Sequence, residues 1–377
     1  MPKILYFLSH PVTYQSAMIR KLEANDNFEF QTVYLSDYGI NHHFDEGYNK
    51  NIDVSEVELI HKKYKYLKSV FWKKKRNFFN PLTFGILRQI IKYRPDVVWI
   101  HGYAFYSILV VILYSKMVGA QIILRGDSNA NNSQSSLIRR LLFYIFRALK
   151  MDFFYIGESN KQFYKMHKVE DEKLFFMPFA VDNDTFAGAD ARRNNQNGKI
   201  NLLYAGKYQN RKNVKAIIEA LSALPVGIIS SYHLTIVGDG RQEKALKKLV
   251  NTLNLESSVT FKPTMNQNNL IQEYELNQVG ILPSITEPWG LIINEYMAAG
   301  IVPIVSEQSG CASTLIEHGK TGYKFDAHDV QSLSDIIASL EHDTIINMSG
   351  AAKSAIQKYD LKNCVEYLES YLLCKKK

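Results

Sequence analysis

The sequence has few cysteines and no long apolar run. Of its 377 residues only three are cysteine, at positions 311, 364 and 374. This odd and scattered set argues against a disulfide framework or a cysteine-rich metal site, and it indicates a reducing compartment. The longest apolar run, Ala104–Tyr114, falls well short of the roughly 20 residues that span a bilayer. The apolar N-terminal run is too short for a signal peptide and predicts a strand. We expect a cytoplasmic protein.

Acidic residues are scarce in one part of the chain. The whole sequence has 45 basic and 37 acidic residues, a formal net charge of +8. Residues 62–150 contain 17 basic residues and only two acidic ones, Asp96 and Asp127, whereas the rest of the chain is acidic or near neutral. A hydrophobic content of 46% and a charged content of 22% are ordinary for a folded protein. The uneven charge predicts a patch that faces an anionic partner.

Short strand-like runs alternate with amphipathic helical segments in two series. The first series predicts strands at 3–8, 29–35, 97–100, 121–124 and 153–156. A small, polar stretch at 187–199 has the composition of a linker, and further strands are predicted at 200–205, 233–237, 279–282 and 302–305. This alternation is typical of α/β proteins with parallel sheets. We predict Rossmann-like domains over 1–190 and 191–358 and a final helix over 359–377. Such domain pairs usually bind ligand at the C-terminal ends of their strands, in the cleft between them.

The segment 283–303 is the most informative, because it predicts a strand end, a loop, a helix and a glycine-stopped turn. Free backbone N–H groups at the helix start, near Gly290, are suited to a phosphate. Glu287 in the loop could bind sugar hydroxyls, and Glu295 in the helix could accept hydrogen bonds from a ribose diol. Two solvated acids explain the pair as simply. A glycoside hydrolase also uses two carboxylates, but usually on other folds.

Three cations follow the first strand of the second domain, in the loop that begins at Gly206. Lys207, Arg211 and Lys212 could clamp a diphosphate and offset leaving-group charge without a metal. Solvated surface cations are the alternative. The spacing is not that of a Walker loop. A Gly-Asp-Gly turn beginning at Gly238 is a weak signal alone.

In the first domain, polar residues stand where two predicted strands end. His101 terminates a buried strand, and a lone histidine there is more often structural than functional, although its strand-end position favours function. Arg125 and Asp127 end another strand. They could contact an acceptor, or equally form an internal pair that orders the loop.

In their order along the chain, these motifs resemble retaining glycosyltransferases of the GT-B fold, family 4, also called glycosyl transferases group 1. The resemblance is specific over about 200–325 and diffuse over 1–190. It implies two Rossmann-like domains facing across a cleft, with the C-terminal helix crossing back to the first. The motifs are Gly206-Lys207, Arg211-Lys212, Val237–Gly240, Glu287-x7-Glu295, Gly300–Pro303, Ser309–Gly322, Pro178–Phe186 and His101-Gly102.

The resemblance implies sugar transfer from a UDP- or GDP-sugar to a hydroxyl acceptor, with retained anomeric configuration and without metal or cofactor. It implies that the leaving phosphate helps to deprotonate the acceptor. The catalytic residues would be His101, Lys212 and Glu287. The donor would be bound by Gly206, Lys207, Arg211, Lys212, Gly238, Glu287, Gly290, Leu291 and Glu295, and the acceptor by His10, Tyr14, Arg125 and Asp127.

Several positions depart from the family pattern. The segment 9–15 (Ser-His-Pro-Val-Thr-Tyr-Gln) replaces the usual glycine pair after the first strand, so the acceptor loop is atypical. Lys207 replaces the commoner arginine and loses its bidentate geometry. Pro263 and Cys311 stand where glycines are often found, which puts the contacts to the nucleotide base in doubt.

The segment 62–79 contains eight cations, six aromatic residues and no acid. A solvated loop would not need the aromatic residues, and no recognised nucleic-acid-binding module is present. An anionic membrane surface fits best, because cations bind headgroups and aromatic side chains favour the interface. The helix at 136–150 adds a second basic face, whose apolar side is equally explained by the core. The expected membrane patch is Trp72, Lys73, Lys74, Lys75 and Arg76.

We therefore expect a glycosyltransferase that is peripheral on the inner face of the plasma membrane. Its acceptor would be lipid-linked and its role cell-surface glycan assembly, with no nucleic-acid partner. Two alternatives stay open. One is a GT-B nucleotide-sugar epimerase, which needs a donor but no acceptor. The other is a non-catalytic basic protein that binds membrane or RNA on a GT-B scaffold.

Overall fold

The computed structural model describes residues 1–36, 43–45, 50–52, 63–70, 82–130, 136–189 and 198–375. The chain divides into two compact units. Unit 1 comprises Met1–His43, Asn51–Ala180 and Leu361–Lys377, and unit 2 comprises Phe44–Lys50 and Val181–Asp360. The expected membrane patch, Trp72, Lys73, Lys74, Lys75 and Arg76, lies outside the described residues.

Eleven strands precede residue 180 in the described part of the chain. They are β1 Lys3–Leu8, β2 Glu29–Tyr34, β3 His43–Asp45, β4 Lys50–Ile52, β5 Tyr64–Tyr66, β6 Ser69–Val70, β7 Leu82–Thr83, β8 Val97–His101, β9 Gln121–Arg125, β10 Asp152–Tyr155 and β11 Leu174–Phe176. The helices of unit 1 are α1 Thr13–Glu23, α2 Ile86–Tyr93, α3 Tyr106–Met117, α4 Leu137–Ala148, α5 Glu158–Met166 and the C-terminal helix α15 Leu361–Lys375.

Unit 1 is built on a seven-stranded sheet in the order β11-β10-β9-β8-β1-β2-β5. All of its strand pairs are parallel. Alternate residues of β1 enter different apolar clusters: Leu5 and Phe7 join one, and Ile4, Tyr6 and Leu8 the other. Because successive strand side chains point to opposite faces, the sheet is buried on both sides, as all-parallel sheets usually are.

The C-terminal helix belongs to unit 1. Its Cys364, Leu368 and Tyr371 are buried in the same cluster as Met18 and Leu22 of α1. The Tyr371 hydroxyl donates a hydrogen bond of 2.8 Å to the Asp152 carboxylate at the start of β10. The expectation that this helix returns to the first domain is confirmed.

Unit 2 contains the remaining elements. Its strands are β12 Ile200–Ala205, β13 Tyr232–Val237, β14 Val259–Lys262, β15 Val279–Leu282, β16 Val302–Ser306 and β17 Tyr323–Phe325. Its helices are α6 Asn183–Ala187, α7 Val214–Ser222, α8 Val226–Ile229, α9 Glu243–Thr252, α10 Gln267–Leu276, α11 Ile292–Ala299, α12 Ala312–Leu315, α13 Val330–Ala338 and α14 His342–Ile356.

The six strands of unit 2 form a parallel sheet in the order β14-β13-β12-β15-β16-β17. The main segment of unit 2 begins at Val181, ten residues before the start expected at 191, for a visible reason. Val181 bridges to Asp360, and the buried ring of Phe186 packs on that of Tyr274. The predicted fold class is confirmed, with two Rossmann-like parallel sheets. In the part of the chain that the structure describes, no helix is long and apolar enough to span a bilayer.

Candidate functional site

Both sheets have a topological switch point, where strand order reverses direction. In unit 2 the chain moves outward from β12 to β14 and then restarts on the other side with β15. In unit 1 the same reversal occurs between β1 and β8. A crevice outside the C-terminal ends of the strands at such a point is where doubly wound sheets bind ligands. The sequence-predicted residues follow these four strands or lie close to them.

The unit 2 switch point brings together two of the predicted cations and one predicted carboxylate. Lys212 and Arg211 lie in a single 3-10 turn after β12, and Glu287 lies in the loop after β15. The Lys212 ammonium forms a close ion pair with Glu287 Oε2, and Arg211 Nη1 lies 3.4 Å from the same oxygen. The Ser284 hydroxyl donates to it over 3.4 Å. Glu287 is only 8% exposed, so this carboxylate depends on its cations.

The two cations that pair with Glu287 differ in their exposure to solvent. The side chain of Lys212 is 16% exposed and that of Arg211 46%. Backbone contacts fix the turn, since Ile285 N donates to Arg211 O over 2.9 Å. Lys207 lies two residues after β12 and is half-buried. The loop after β12, residues 206–213, thus contains three cations and no acidic residue, and such a positive loop is suited to an anion.

Glycine is required where the loops after β12 and β13 meet. Gly238 N donates to Lys262 O, and Gly206 N donates to Val237 O, both over 3.0 Å. A Cβ on Gly238 would lie 2.0 Å from Gly206 O. No side chain at Gly238 fits between these two backbones.

The helix of the predicted phosphate site starts later than expected. Gly290 has φ of +98°, a left-handed value that lies outside the helix, and α11 begins at Ile292. A Cβ on Gly290 would lie 2.5 Å from a methyl group of Leu282 and 3.3 Å from Cys311 Sγ. Gly290 and Leu291 therefore form a turn that leads into α11, and the first N–H groups of a helix have no intrahelical acceptor.

Glu295 lies in the first turn of α11, and its carboxylate is hydrogen-bonded. The Tyr274 hydroxyl, from α10, donates to Glu295 Oε2 over 2.6 Å. Burial raises the pKa of Glu295 to about 7, against the opposing effect of the Tyr274 hydrogen bond. Its charge therefore changes close to neutral pH.

The unit 1 switch point is made of uncharged partners around His101. This residue ends β8, and its Nε2 lies 3.0 Å from Gln15 Nε2. The Tyr6 hydroxyl from β1 donates to Gln15 Oε1 in a short hydrogen bond. Burial first, and then the charges of Arg125 and His10, lower the pKa of His101 to about 3. The imidazole is therefore neutral over the physiological range.

The predicted acceptor residues take different positions in unit 1. His10 follows β1, and its Nδ1 lies 2.7 Å from the Ser9 hydroxyl. Tyr14 in α1 is 40% exposed and packs edge-on against Phe179. Asp127 is exposed.

Arg125 does not lie on an open face. It is 1% exposed, its Nη2 donates to Pro178 O over 2.6 Å, and its guanidinium stacks near Trp99 and Phe179. An arginine at a strand end can turn inward when a carbonyl oxygen accepts its hydrogen bond and aromatic rings pack against its guanidinium. In this conformation an acceptor has no access to it.

Residues that the sequence did not single out complete both switch points. Gln15 and Tyr6 surround His101, and Tyr274 and Ser284 hold the two predicted carboxylates. Gln15 ends the unusual loop segment at 9–15, which is the signal that could have identified it. Tyr274 lies on a separate helix, and nothing in the sequence connects it to Glu295.

Part of this chain is similar to known glycosyltransferases. Residues 189–359 match the family model described as glycosyl transferases group 1. A D-inositol 3-phosphate glycosyltransferase of Pseudarthrobacter chlorophenolicus is 31% identical over 48% of this chain and 45% of its own length. A GDP-mannose-dependent alpha-(1-6)-phosphatidylinositol monomannoside mannosyltransferase of Mycobacterium tuberculosis is 27% identical over 48% of this chain and 50% of its own. The chain spans about half the length of these curated relatives.

The solved structure of HepE from Anabaena in complex with UDP resembles the whole chain. The TM-score is 0.75, with 14% sequence identity, over 99% of this chain and all of HepE. This likeness concerns the fold. The fold is GT-B, with two Rossmann-like sheets of seven and six strands.

Proposed function

We propose that this protein transfers a sugar from a nucleoside-diphosphate donor to a hydroxyl acceptor. The premise is that residues 189–359 match the glycosyl transferases group 1 family, on a chain with the GT-B fold. The observation that supports this most strongly is the cluster of Lys212, Arg211 and Glu287 at the unit 2 switch point. A positive edge that also holds a buried carboxylate suits a ligand with both phosphates and hydroxyl groups.

The donor is proposed to bind along this edge. Lys207, Arg211 and Lys212 neutralise the diphosphate, and backbone N–H groups at Gly290 and Leu291 add hydrogen bonds at the start of α11. Glu287 binds the donor-sugar hydroxyls, and Glu295 binds the ribose. Gly206 and Gly238 leave room for close approach of the phosphates. The relatives' names include both GDP and UDP, and we propose one of these two nucleotides.

The proposed reaction retains the anomeric configuration and needs no metal. The bond between the anomeric carbon and the diphosphate oxygen breaks, and its electron pair stays on the diphosphate. The acceptor oxygen bonds to that carbon on the same face, and its proton passes to the departing phosphate. The Lys207, Arg211 and Lys212 cations stabilise the developing negative charge, a contribution that can reach several kcal/mol in a preorganised site.

Unit 1 is proposed to supply the acceptor side and one residue for the sugar. His101 is proposed to contact the donor sugar close to the reacting carbon, and His10, Tyr14 and Asp127 to contact the acceptor. The Arg125 guanidinium is buried, and we propose that it supports the residues around His101 from inside unit 1.

The direct test is an assay of nucleoside-diphosphate release with candidate UDP- and GDP-sugars and a membrane extract as the acceptor source. We expect acceptor-dependent release that Glu287→Ala and Lys212→Ala reduce by at least about a hundredfold, and that EDTA leaves unchanged. Lys215→Ala is the matched control, since Lys215 is an exposed partner of Glu219 on the next helix. The glycosidic proton coupling of the product reports the configuration. An epimerised donor, or no turnover with any donor, would contradict the proposal.

We also propose that unit 1 lies on an anionic membrane surface and that the acceptor is lipid-linked. Helix α4 divides its apolar residues between two sides: Phe143 and Phe146 are buried, whereas other apolar side chains face outward. The outward set is Leu137, Ile138, Leu141, Tyr144 and Ile145, with exposures of 81%, 74%, 60%, 62% and 41%.

The cations beside this exposed face of α4 indicate an anionic partner. Residues 136–150 contain Arg139, Arg140, Arg147 and Lys150 and no acidic residue. An exposed apolar face bordered by cations is typical of helices that lie in the interface of anionic bilayers. The mannosyltransferase relative, whose name includes a phosphatidylinositol acceptor, agrees with a lipid-linked acceptor. The three free thiols are in keeping with the cytoplasmic side.

Sedimentation with vesicles tests this second proposal. We expect binding to phosphatidylglycerol vesicles but little binding to phosphatidylcholine vesicles. Leu137→Ser with Leu141→Ser should weaken binding several-fold, and alanine at Lys73, Lys74, Lys75 and Arg76 should weaken it by about fivefold per charge. Val226→Ser in unit 2, where Val226 is 90% exposed, is the matched control. Unchanged sedimentation of both sets of variants would refute the membrane surface.

A further inference from the structure

The polar groups around His101 form a hydrogen-bonded chain that starts at the Tyr6 hydroxyl. Tyr6 donates to Gln15 Oε1, and Gln15 Nε2 lies 3.0 Å from His101 Nε2. Tyr6 and Gln15 are both at most 1% exposed. The chain therefore runs through the interior of unit 1 from β1 to the end of β8.

The direction of each proton in this chain is decided at its start. An amide oxygen only accepts, and the Tyr6 hydroxyl donates its proton to Gln15 Oε1. The Gln15 amide then points an N–H group at His101 Nε2, which must accept. Flipping the Gln15 amide would leave the buried Tyr6 proton without this acceptor, which is costly for a buried donor.

The other ring nitrogen of His101, Nδ1, is a hydrogen-bond donor. Once Nε2 accepts, a neutral His101 must hold its proton on Nδ1. This Nδ1 atom is buried, and none of the residues described around it is its hydrogen-bond partner. A buried donor without a partner is costly, and a ligand hydroxyl or carbonyl would satisfy it.

We propose that Tyr6 and Gln15 are positioning residues that fix His101 as the neutral Nδ1–H tautomer, with that N–H directed at an oxygen of the sugar substrate. The use of the N–H group rests on the proposed function, whereas the tautomer does not. The charged and titratable groups that face His101 are Arg125 from β9, His10 from the loop after β1, and Tyr6 and Tyr14 from β1 and α1. Arg125 and any charge on His10 oppose a positive imidazole.

The test is a long-range proton–nitrogen NMR spectrum of the whole chain labelled with ¹⁵N-histidine, and it needs no substrate. The His101 signals are identified by their loss in His101→Gln. We expect a protonated Nδ1 and an unprotonated Nε2 that do not change between pH 7.5 and pH 5. A protonated Nε2, or averaged signals from both tautomers, would overturn the proposal.

Two changes at Gln15 separate positioning from folding. Gln15→Leu removes the donor at nearly constant volume, and we expect the His101 signals to change to a mixture of tautomers. Gln15→Glu places a carboxylate at Nε2, which should move the proton to Nε2 and favour the charged imidazole. Between pH 8 and pH 6 the kcat/KM of Gln15→Glu for sugar transfer should then decrease. The factor of this decrease should be at least about ten times the factor for the wild type.

Gln89→Leu is the matched control, because Gln89 is another buried glutamine of unit 1 and is hydrogen-bonded to Gln31. It should leave the His101 signals unchanged. If Gln15→Leu, folded by circular dichroism, keeps the wild-type tautomer, the chain does not position His101. If the tautomer is as expected but no donor is ever turned over, the proposed function fails and the hydrogen-bond chain stands.

Discussion

The two switch points have the same topology but opposite electrostatics. In unit 2, Arg211 and Lys212 pair with the Glu287 carboxylate in partial contact with solvent, and Lys207 lies in the same loop after β12. In unit 1 the corresponding strand ends hold a neutral imidazole, an amide and a phenol, and Arg125 is buried behind them. We therefore propose that one sheet edge binds an anion and the other binds hydroxyl groups.

This difference shows that the sheet order fixes the place of a site but not its chemistry. The loops after β12 and β15 approach closely enough for backbone to contact backbone, which places cations beside a carboxylate. Residues after β1 and β8 meet through side chains instead. Among the cations of 62–150 that the structure describes, Arg125 is buried in unit 1 and others lie on α4, where Arg140 is exposed. This separation agrees with a patch for a surface and a separate site for sugar.

The largest expected effect comes from the backbone contact in unit 2. In Gly238→Ala the new Cβ would lie 2.0 Å from Gly206 O, so the two loops must separate. We expect the free energy of unfolding to fall by about 3 kcal/mol or more, together with loss of the thermal shift produced by UDP or GDP. Urea unfolding and differential scanning fluorimetry measure the two quantities.

The matched change in unit 1 is Gly102→Ala, directly after His101. Gly102 also has positive φ, +77°, but a Cβ there would meet nothing within 4 Å. Only the left-handed conformation is penalised, at roughly 1–2 kcal/mol. Equal losses in the two variants would show that backbone crowding is not what distinguishes the switch points.

The next effect is a pH dependence of opposite sign in the two units. The folded-state pKa of Glu295 is raised to about 7, so the folded state holds a proton that the unfolded chain releases near its ordinary value of about 4.3. This contribution to stability is present at low pH and is lost as the pH rises toward 7, by up to about 3 kcal/mol. We expect Glu295→Gln to remove that loss between pH 4.5 and pH 8.

His101 behaves in the reverse way, because its folded-state pKa is lowered to about 3. In the unfolded chain this histidine binds a proton below about pH 6.5, whereas in the folded state it stays neutral there. The free energy of unfolding therefore decreases as the pH falls. His101→Gln should reduce the loss of stability between pH 6.5 and pH 4. Urea midpoints at four pH values test both variants, and parallel curves for wild type and variants would contradict the assigned environments.

The sequence predicts much of this fold, because strand ends in a parallel sheet share one edge. The strands at 3–8, 200–205 and 279–282 are observed with the predicted bounds. The expectation of two Rossmann-like sheets is therefore confirmed. The meeting of Lys212 with Glu287 follows from the same rule, since β12 and β15 are neighbours.

The remainder depends on packing that no local pattern records. The helix predicted from Gly290 begins at Ile292, because the left-handed conformation of Gly290 is incompatible with a helix. Tyr274 meets Glu295 from a helix with few regularly spaced apolar residues. The inward turn of Arg125 depends on Pro178 O, 53 residues further along the chain. Such contacts arise from tertiary structure and have no signature in spacing.

The smallest effect compares one arginine from each switch point. Arg125→Met removes the donor to Pro178 O, and a buried unpaired group costs about 1–3 kcal/mol. We expect about 2 kcal/mol lower stability from this change. Arg211 is 46% exposed and its ion pair with Glu287 is long at 3.4 Å, so Arg211→Met should change stability by less than about 0.5 kcal/mol.

Ligand binding should reverse this order, because Arg211 is proposed to act on the donor and Arg125 on the fold. Arg211→Met should weaken the UDP- or GDP-induced thermal shift, since a charge-assisted bond to phosphate contributes more than a neutral one. Arg125→Met should lower the melting temperature while leaving that shift intact. If Arg125→Met abolished the nucleotide-induced shift and Arg211→Met did not, the assignment of anion binding to unit 2 and neutral hydrogen bonding to unit 1 would be wrong.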